Sequence, residues 1–541
     1  MMGITPWTGS LMMGSPSLAE FEHQISELIV RRDFSRAAAA AAACRASWPK
    51  SSAGWLLGSI VALLAEDPET ALALIEARLA EEPRNVQCLL QKSESLLALG
   101  RRDEALSTAA QTVGYVGENP AALEALTDFL VQAQEYAQAL PLLDRAVAAA
   151  PDRAELPAKR AVLHRLLGHL DLARRDYEAV LARSPHDAEA LKALAELRTQ
   201  TPGDNLVSRL EAALQRVDPG SSEAAVLHFG LAKSYEDLGD HPGSWQHVTT
   251  ANRLERAGLQ YDRDTDRAVV DRMILGFDRI EAESRDSTRE RPIFVVGLPR
   301  TGISLADRII GSHSQVHPAG ELTSLSEAIG ITFKRAAPQR RGWLEYAASL
   351  PALDGESIAR EYLLRAGARR GTRPRFSDRQ PVNFYYCPLI LRAFPRAHIV
   401  HLTRHPLAAC HAIFKTRFEG TFPFSCDLEE LADFYAGYRR LMTHWHRVLP
   451  GRIVEVAYED LVTVPEPTVR RLLDRLELPF EQACLEAHAG PDATPTGSAT
   501  EVGGSPERQS LGDVSLGQWR NYERELAPVR ARLESAGIAL E

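Results

Sequence analysis

The chain reads as a multidomain protein: an all-α solenoid of helical repeats, followed by an α/β domain whose parallel sheet carries a P-loop-like turn. Three observations predict this. Ala37, Ala71, Ala105, Ala139 and Ala173 recur every 34 residues, and Pro49, Pro83, Pro151 and Pro185 keep the same register. From residue 291 onward strands and helices alternate, which implies a parallel sheet with helices on both faces. At 291–304 (RPIFVVGLPRTGIS) an apolar run breaks into a Gly/Pro loop that opens a helical pattern.

Taken in order, residues 1–16 read as a flexible N-terminus and 17–280 as the repeat array with its capping helices. Residues 281–291 (EAESRDSTRER) are charged, lack apolar periodicity and read as a linker; 292–541 form the α/β domain. The period is that of the tetratricopeptide repeat, a helix–turn–helix unit. A small Ala lets the second helix pack close to the first. Gly100 and Gly168, two periods apart, sit in the turn within a repeat, and the Pro follows the second helix, which it cannot continue. Five repeats span about 17–200. The break at Thr201 is followed by a further helical pair with Gly239 at its turn, expected to cap the array. A stacked helical array offers a concave face suited to a protein or peptide partner. A purely structural or dimerising role is the alternative, and a homodimer stays open.

At 541 residues the chain exceeds one ordinary core, so at least two domains are expected. Hydrophobic content of 45% and charged content of 25% are those of a globular protein with no membrane association. A net charge of −10 argues against general nucleic-acid binding, so any anion site must be a local basic pocket. The six Cys are scattered without a C-x-x-C pair, which suits a reducing, cytoplasmic setting and gives no zinc signature. The first residues make a poor signal peptide, and no apolar run is long enough to span a membrane.

The loop carries the chemistry. Strand, glycine turn and helix N-terminus together form a phosphate-binding geometry, because backbone N–H groups converge there and the helix dipole favours an anion. The spacing Gly297-x4-Gly302 matches a P-loop, but Ile303 stands where its Lys would be, and the nearest cation is Arg300. A nucleotide-hydrolysing enzyme needs that Lys and a Mg²⁺. A different phosphate-bearing ligand is therefore expected. His398, His401, His405 and His411 run from a strand into a helix start and match no common ligand set, so no metal is expected.

Five blocks stand in order: 299–305 (PRTGISL), 320–322 (GEL), 378–381 (DRQP), 404–406 (RHP) and 517–520 (GQWR). In order and spacing they resemble the sulfotransferases. The nearest kind is the bacterial sulfotransferase with N-terminal tetratricopeptide repeats, related to tyrosylprotein sulfotransferases; the resemblance covers essentially the whole chain. It implies 3′-phosphoadenosine-5′-phosphosulfate as sulfuryl donor, no metal, and an acceptor hydroxyl, with a peptide tyrosine as a candidate. By that resemblance Arg300, Thr301, Gly302, Ile303 and Ser304 cradle the 5′-phosphosulfate. Arg404 grips the 3′-phosphate; a surface ion pair is its alternative. Arg508 and Gln509 precede Trp519 as an Arg-Gln does in relatives that close a loop over the nucleotide, although the same stretch also reads as a plain flexible loop and Trp519 as core.

Glu321 lies at the offset of the general base in tyrosylprotein sulfotransferases, and apolar neighbours would raise its pKa and suit it to the task. An exposed helix cap is the other reading, and His317 is the second candidate base. Arg379 replaces the Lys that steadies the leaving phosphate, keeping the charge but not the shape. Residues 334–341 (KRAAPQRR) read as a solvated basic turn, or a surface for an acidic acceptor. Three side chains depart from the family pattern: Ile303 for Thr, Ala412 for Ser and Arg379 for Lys. Losing two neutral hydrogen bonds costs about 1–3 kcal/mol, or roughly 5- to 150-fold in donor affinity. A catalytically degenerate scaffold that binds partners through its repeats is the alternative function.

Overall fold

The computed structural model describes residues 17–278, 288–486 and 516–540. The chain divides into two compact units, Met1–Ala150 and Pro151–Glu541.

Among its described residues the first unit is four helix pairs: Leu18–Val30 with Phe34–Ser47, Ala53–Leu64 with Pro68–Glu81, Val86–Ala98 with Arg102–Val113, and Pro120–Gln132 with Tyr136–Ala149. The periodic Ala37, Ala71, Ala105 and Ala139 are fully buried, as close approach of paired helices demands. Asp33 and Asp67 cap second helices by accepting from the N–H groups of Arg36 and Thr70. The turn between paired helices is left-handed at one fixed register: φ is 57° at Arg32, 63° at Glu66, 76° at Gly100 and 59° at Gln134, and 77° at Gly168 in the second unit. Only two of these five positions are glycine, although side chains are costly in that region. Gln134→Gly is therefore expected to stabilise the chain by roughly 0.5–1 kcal/mol, and Gly100→Ala to destabilise it by about 1 kcal/mol. Denaturant midpoints check both; a midpoint lowered by Gln134→Gly contradicts the strain argument.

The second unit begins with the pair Glu155–Leu166 and Leu170–Arg183, where Ala173 is again fully buried. Helices Ala188–Glu196, Val207–Leu214, Ser222–Asp237, His241–Ala257 and Arg263–Gly276 follow. A five-stranded parallel sheet comes next: β1 (Ile293–Gly297), β2 (Val316–Pro318), β3 (Arg375–Asp378), β4 (His398–Thr403) and β5 (Ile453–Ala457), in the order β2-β3-β1-β4-β5. β1 is wholly buried and alternates between two cores. Phe294 and Val296 face one, and Ile293 and Val295 face the other with Ile303, Val400 and Leu402.

The helices expected to cap the array do pack on it, Val226, Leu227 and Leu231 clustering with Ala173, Leu191 and Leu194, and they also enter the sheet's core. Phe229, Val248, Val270, Met273 and Phe277 share a cluster with Phe294, Val296 and Ile399. Polar contacts reinforce the packing. Asn252 Nδ2 donates to the Phe414 carbonyl at 2.7 Å, and Arg256 holds Glu430 by two bonds of 2.8 and 2.9 Å. The division into compact units falls at 150/151, within the repeat register; of the charged stretch 281–291 only 288–291 are among the described residues. Among the described residues no helix is long and apolar enough to cross a membrane.

Candidate active site

β1 ends where side chains no longer fit. A Cβ on Gly297 would stand 2.7 Å from the Leu402 carbonyl oxygen, and one on Gly302 2.3 Å from the Tyr458 ring. Gly302 also has φ 91°, and Arg300 between them is left-handed at 67°. The chain so turned enters helix Ile303–Gly311, whose first turn has no side-chain cap. Its opening N–H groups and dipole thus make a fitting seat for an anion.

The side chains around this turn divide in role. Thr301 is buried and its hydroxyl donates to the Leu298 carbonyl at 2.6 Å, so its part in any cradle is its backbone. Ile303 packs under the sheet, with Val400 and Leu402 in its cluster. Ser304 Oγ accepts from Arg379 Nη1 at 3.2 Å, and the same nitrogen donates to Glu321 Oε1 at 3.0 Å. Arg379 is only 1% exposed, and its Nε stands 3.1 Å from Asp307 Oδ2. Asp307 in turn accepts from Ser377 Oγ at 2.5 Å. One guanidinium therefore ties the loop helix (Ser304, Asp307) to the loop after β2 (Glu321).

Glu321 does not sit among apolar neighbours as expected. Its side chain is 38% exposed and paired with Arg379. Its position is set by Asp378, at the end of β3, whose Oδ1 accepts from the Gln380 N–H at 3.0 Å and the Leu322 N–H at 3.4 Å. The Tyr362 hydroxyl donates to Oδ2 at 3.0 Å. Burial pushes the Asp378 carboxyl up to about 7 against the lowering effect of these bonds. The DRQP block holds both Asp378 and Arg379, but not the anchoring duty of Asp378; Asp307 beneath the loop falls in none of the five blocks.

Arg300, Ile303, Ser304, Glu321, Gln380 and Lys415 line a cavity of about 830 Å³. Its opposite wall comes from the helices before the sheet, through Lys192, Lys233, Glu236 and Trp245. Lys415 bridges the two sides, 2.8 Å from Glu236. Burial raises the Glu236 carboxyl, but Lys415 more than offsets this and leaves it lowered. His411 beside them is pushed down to about 3 by burial and by Lys415.

Arg404, expected to share one cavity with Arg300, lines a second cavity, of about 1040 Å³. It touches the loop from the flank: its Nη1 donates to the Arg300 carbonyl at 2.8 Å, and its guanidinium lies 4.8 Å from the Tyr458 ring centre. Ala412 is buried. His405, in the family's Asp position, stacks on Trp519 at 4.6 Å and contacts the Leu540 carbonyl at 2.9 Å, so Trp519 is core packing. Arg508 and Gln509 lie outside the described residues. His317 is on β2, packed against Gly371 and not among the cavity-lining residues, its pKa lowered by burial and by Arg373 and Arg369. The 334–341 stretch ends helix Ser324–Ala336 and turns out of it; Arg335 pairs with Glu361 of helix Gly355–Ala366, and Arg340 donates to Ser349. His398, His405 and His411 go to separate partners, Arg375, Trp519 and Tyr522.

Comparison with known proteins gives the family. The sulfotransferase family model matches residues 292–482, and a tetratricopeptide repeat model matches 90–154 and 159–202. An uncharacterized protein of Aquifex aeolicus is 30% identical over 71% of this chain, which spans about half (52%) of that protein's length. A putative protein-tyrosine sulfotransferase of Caenorhabditis briggsae is 24% identical over 43% of this chain and 82% of its own. The protein-tyrosine sulfotransferase of Drosophila melanogaster is 23% identical over 36% of this chain and 40% of its own. Among solved structures, the sulfotransferase domain of the Synechococcus PCC 7002 olefin synthase is 18% identical with a TM-score of 0.32, covering 48% of this chain and 100% of that one. The chain thus joins tetratricopeptide repeats to a domain of the sulfotransferase family.

Proposed function

We propose that this sulfotransferase domain transfers a sulfuryl group from 3′-phosphoadenosine-5′-phosphosulfate to an acceptor hydroxyl, with a peptide tyrosine as the first candidate acceptor. The observation that carries this reading is the single Arg379 nitrogen bonded to both Ser304 and Glu321. It brings a carboxylate within two hydrogen-bond lengths of an uncapped helix N-terminus, in a cavity large enough for a nucleotide. The N–H groups at Gly302–Ser304 and the Arg300 guanidinium hold the phosphosulfate, and Glu321 takes the acceptor's proton. Arg379 neutralises charge beneath them, and Arg404, which lines the other cavity, steadies the loop through the Arg300 carbonyl. The helices before the sheet present the acceptor, and the repeats hold a protein partner. Six unpaired thiols suit work in the cytoplasm.

A second reading, a degenerate nucleotide-binding scaffold, is favoured by the burial of Arg379 and its engagement by Asp307, Ser304 and Glu321. Two measurements separate the readings. Calorimetry with 3′-phosphoadenosine-5′-phosphate is expected to give micromolar binding that weakens at least about 10-fold in Gly302→Ala. Labelled sulfate is expected to pass from the donor to a tyrosine peptide or phenol. Binding without transfer to any acceptor leaves the scaffold reading; no binding removes the donor site from both.

A further inference from the structure

We propose that His401, His446 and Glu455 form a binding site for a divalent transition-metal ion, with zinc the best fit, separate from the sulfuryl-transfer cavity. The three come from three elements: His401 from β4, Glu455 from β5, and His446 from helix Leu428–Val448. His401 and Glu455 are direct partners in the parallel register, so their side chains leave the same face of the sheet. His401 Nδ1 stands 3.4 Å from Glu455 Oε2, and His446 Nε2 stands 3.4 Å from the same oxygen. Neither ring nitrogen is aligned for a hydrogen bond, and both atoms are buried. One ligand atom from each of the three residues lies within 4.8 Å of the others.

The spacing is what an ion requires. Two ligands held about 2.05 Å from zinc at the tetrahedral angle lie about 3.3–3.4 Å apart. Two edges of the triangle already have that length. The third closes by rotation of His446, whose side chain is 35% exposed. Two imidazoles with one carboxylate, and a fourth position open to solvent beside the half-exposed Glu455, are a donor set that zinc accepts and magnesium does not. The outer contact is also in place. The other nitrogen of His401, Nε2, meets the Tyr438 hydroxyl, as the second ring nitrogen of a metal-bound imidazole does.

The position suggests the consequence of binding. An ion here pins β4 and β5 to one helix. Arg404 follows His401 by three residues and Tyr458 follows Glu455 by three, and these two side chains stack beside the phosphate-type loop.

The test uses the full chain, stripped with a chelator and titrated with Zn²⁺ by calorimetry, then with Co²⁺ by visible absorption. One equivalent is expected to bind with micromolar or tighter affinity, and Co²⁺ is expected to show the intense bands of a tetrahedral site. His446→Ala and Glu455→Gln, both on partly exposed side chains, are each expected to weaken binding by more than about 100-fold. Tyr438→Phe is expected to weaken it by about 10-fold, the scale of an outer-contact loss. Circular dichroism of the metal-free variants confirms that they fold. A wild-type chain that binds no zinc overturns the proposal, and so does zinc held equally well by both ligand variants, which places it on other His or Cys side chains.

Discussion

Arg379→Ala is expected to destabilise the second unit by about 3–5 kcal/mol, the scale for removing one partner of a buried ion pair. The reason is what stays behind. Asp307 is 1% exposed, and without the guanidinium its carboxyl keeps only the Ser377 hydroxyl. Burial already raises the Asp307 carboxyl even with Arg379 beside it. Removing the cation raises it further, so that at neutral pH folding must either bury a bare charge or take up a proton. A carboxyl raised on folding loses stability as pH rises through its folded value and is least costly below its unfolded one. The deficit of Arg379→Ala should therefore shrink as the pH falls from 7 towards 4. Arg379→Met combined with Asp307→Asn removes both charges and is expected to recover more than half of the loss. Denaturant titration of the three proteins at several pH values reads all of this. A loss below about 1 kcal/mol for Arg379→Ala, or a deficit independent of pH, shows that the pair is not the clamp described here.

The same residue marks how far the sequence could be read. Arg379 is legible as a cation in a motif position, but its partners are not, because Ser304, Asp307 and Glu321 lie 58–75 residues away and meet it only across the sheet. The repeat register is legible because each unit buries the same small residue, Ala37 through Ala173. β1, β4 and β5 are legible as apolar runs of five or six residues, whereas β2 and β3, three and four residues long and carrying His317, Arg375 and Asp378, have no such signature. The boundary at 281–291 rests on charge density. What unites the helices 222–276 with the sheet is apolar contact from Phe229, Val270 and Phe277, and a charged stretch in the chain says nothing about that. His401 shows the converse. Among its neighbouring histidines it looks unremarkable, and its partners, His446 and Glu455, are brought to it by a long helix and an adjacent strand.

Glu321→Gln is expected to lower kcat by about 10²–10⁴-fold, the range for removing a positioned general base, while the donor's dissociation constant changes by less than about 3-fold. Glutamine keeps the size of the side chain and an oxygen that accepts from Arg379 Nη1, so the bond that places position 321 survives. What it removes is the capacity to take a proton from the acceptor. The partial exposure of Glu321 on the cavity wall lets an acceptor hydroxyl reach it, whereas Arg379 beneath is buried. The split between kcat and donor binding is what separates this role from a structural one. Loss of donor affinity in step with kcat makes Glu321 a support for Arg379 and the loop. An unchanged kcat moves the base elsewhere, and His317, which is not among the cavity-lining residues, is poorly placed to replace it. A selective fall in kcat leaves the carboxylate as the group that draws the proton while the helix N-terminus and Arg300 hold the sulfuryl side, so that acceptor activation and donor binding are divided between two loops joined by one guanidinium.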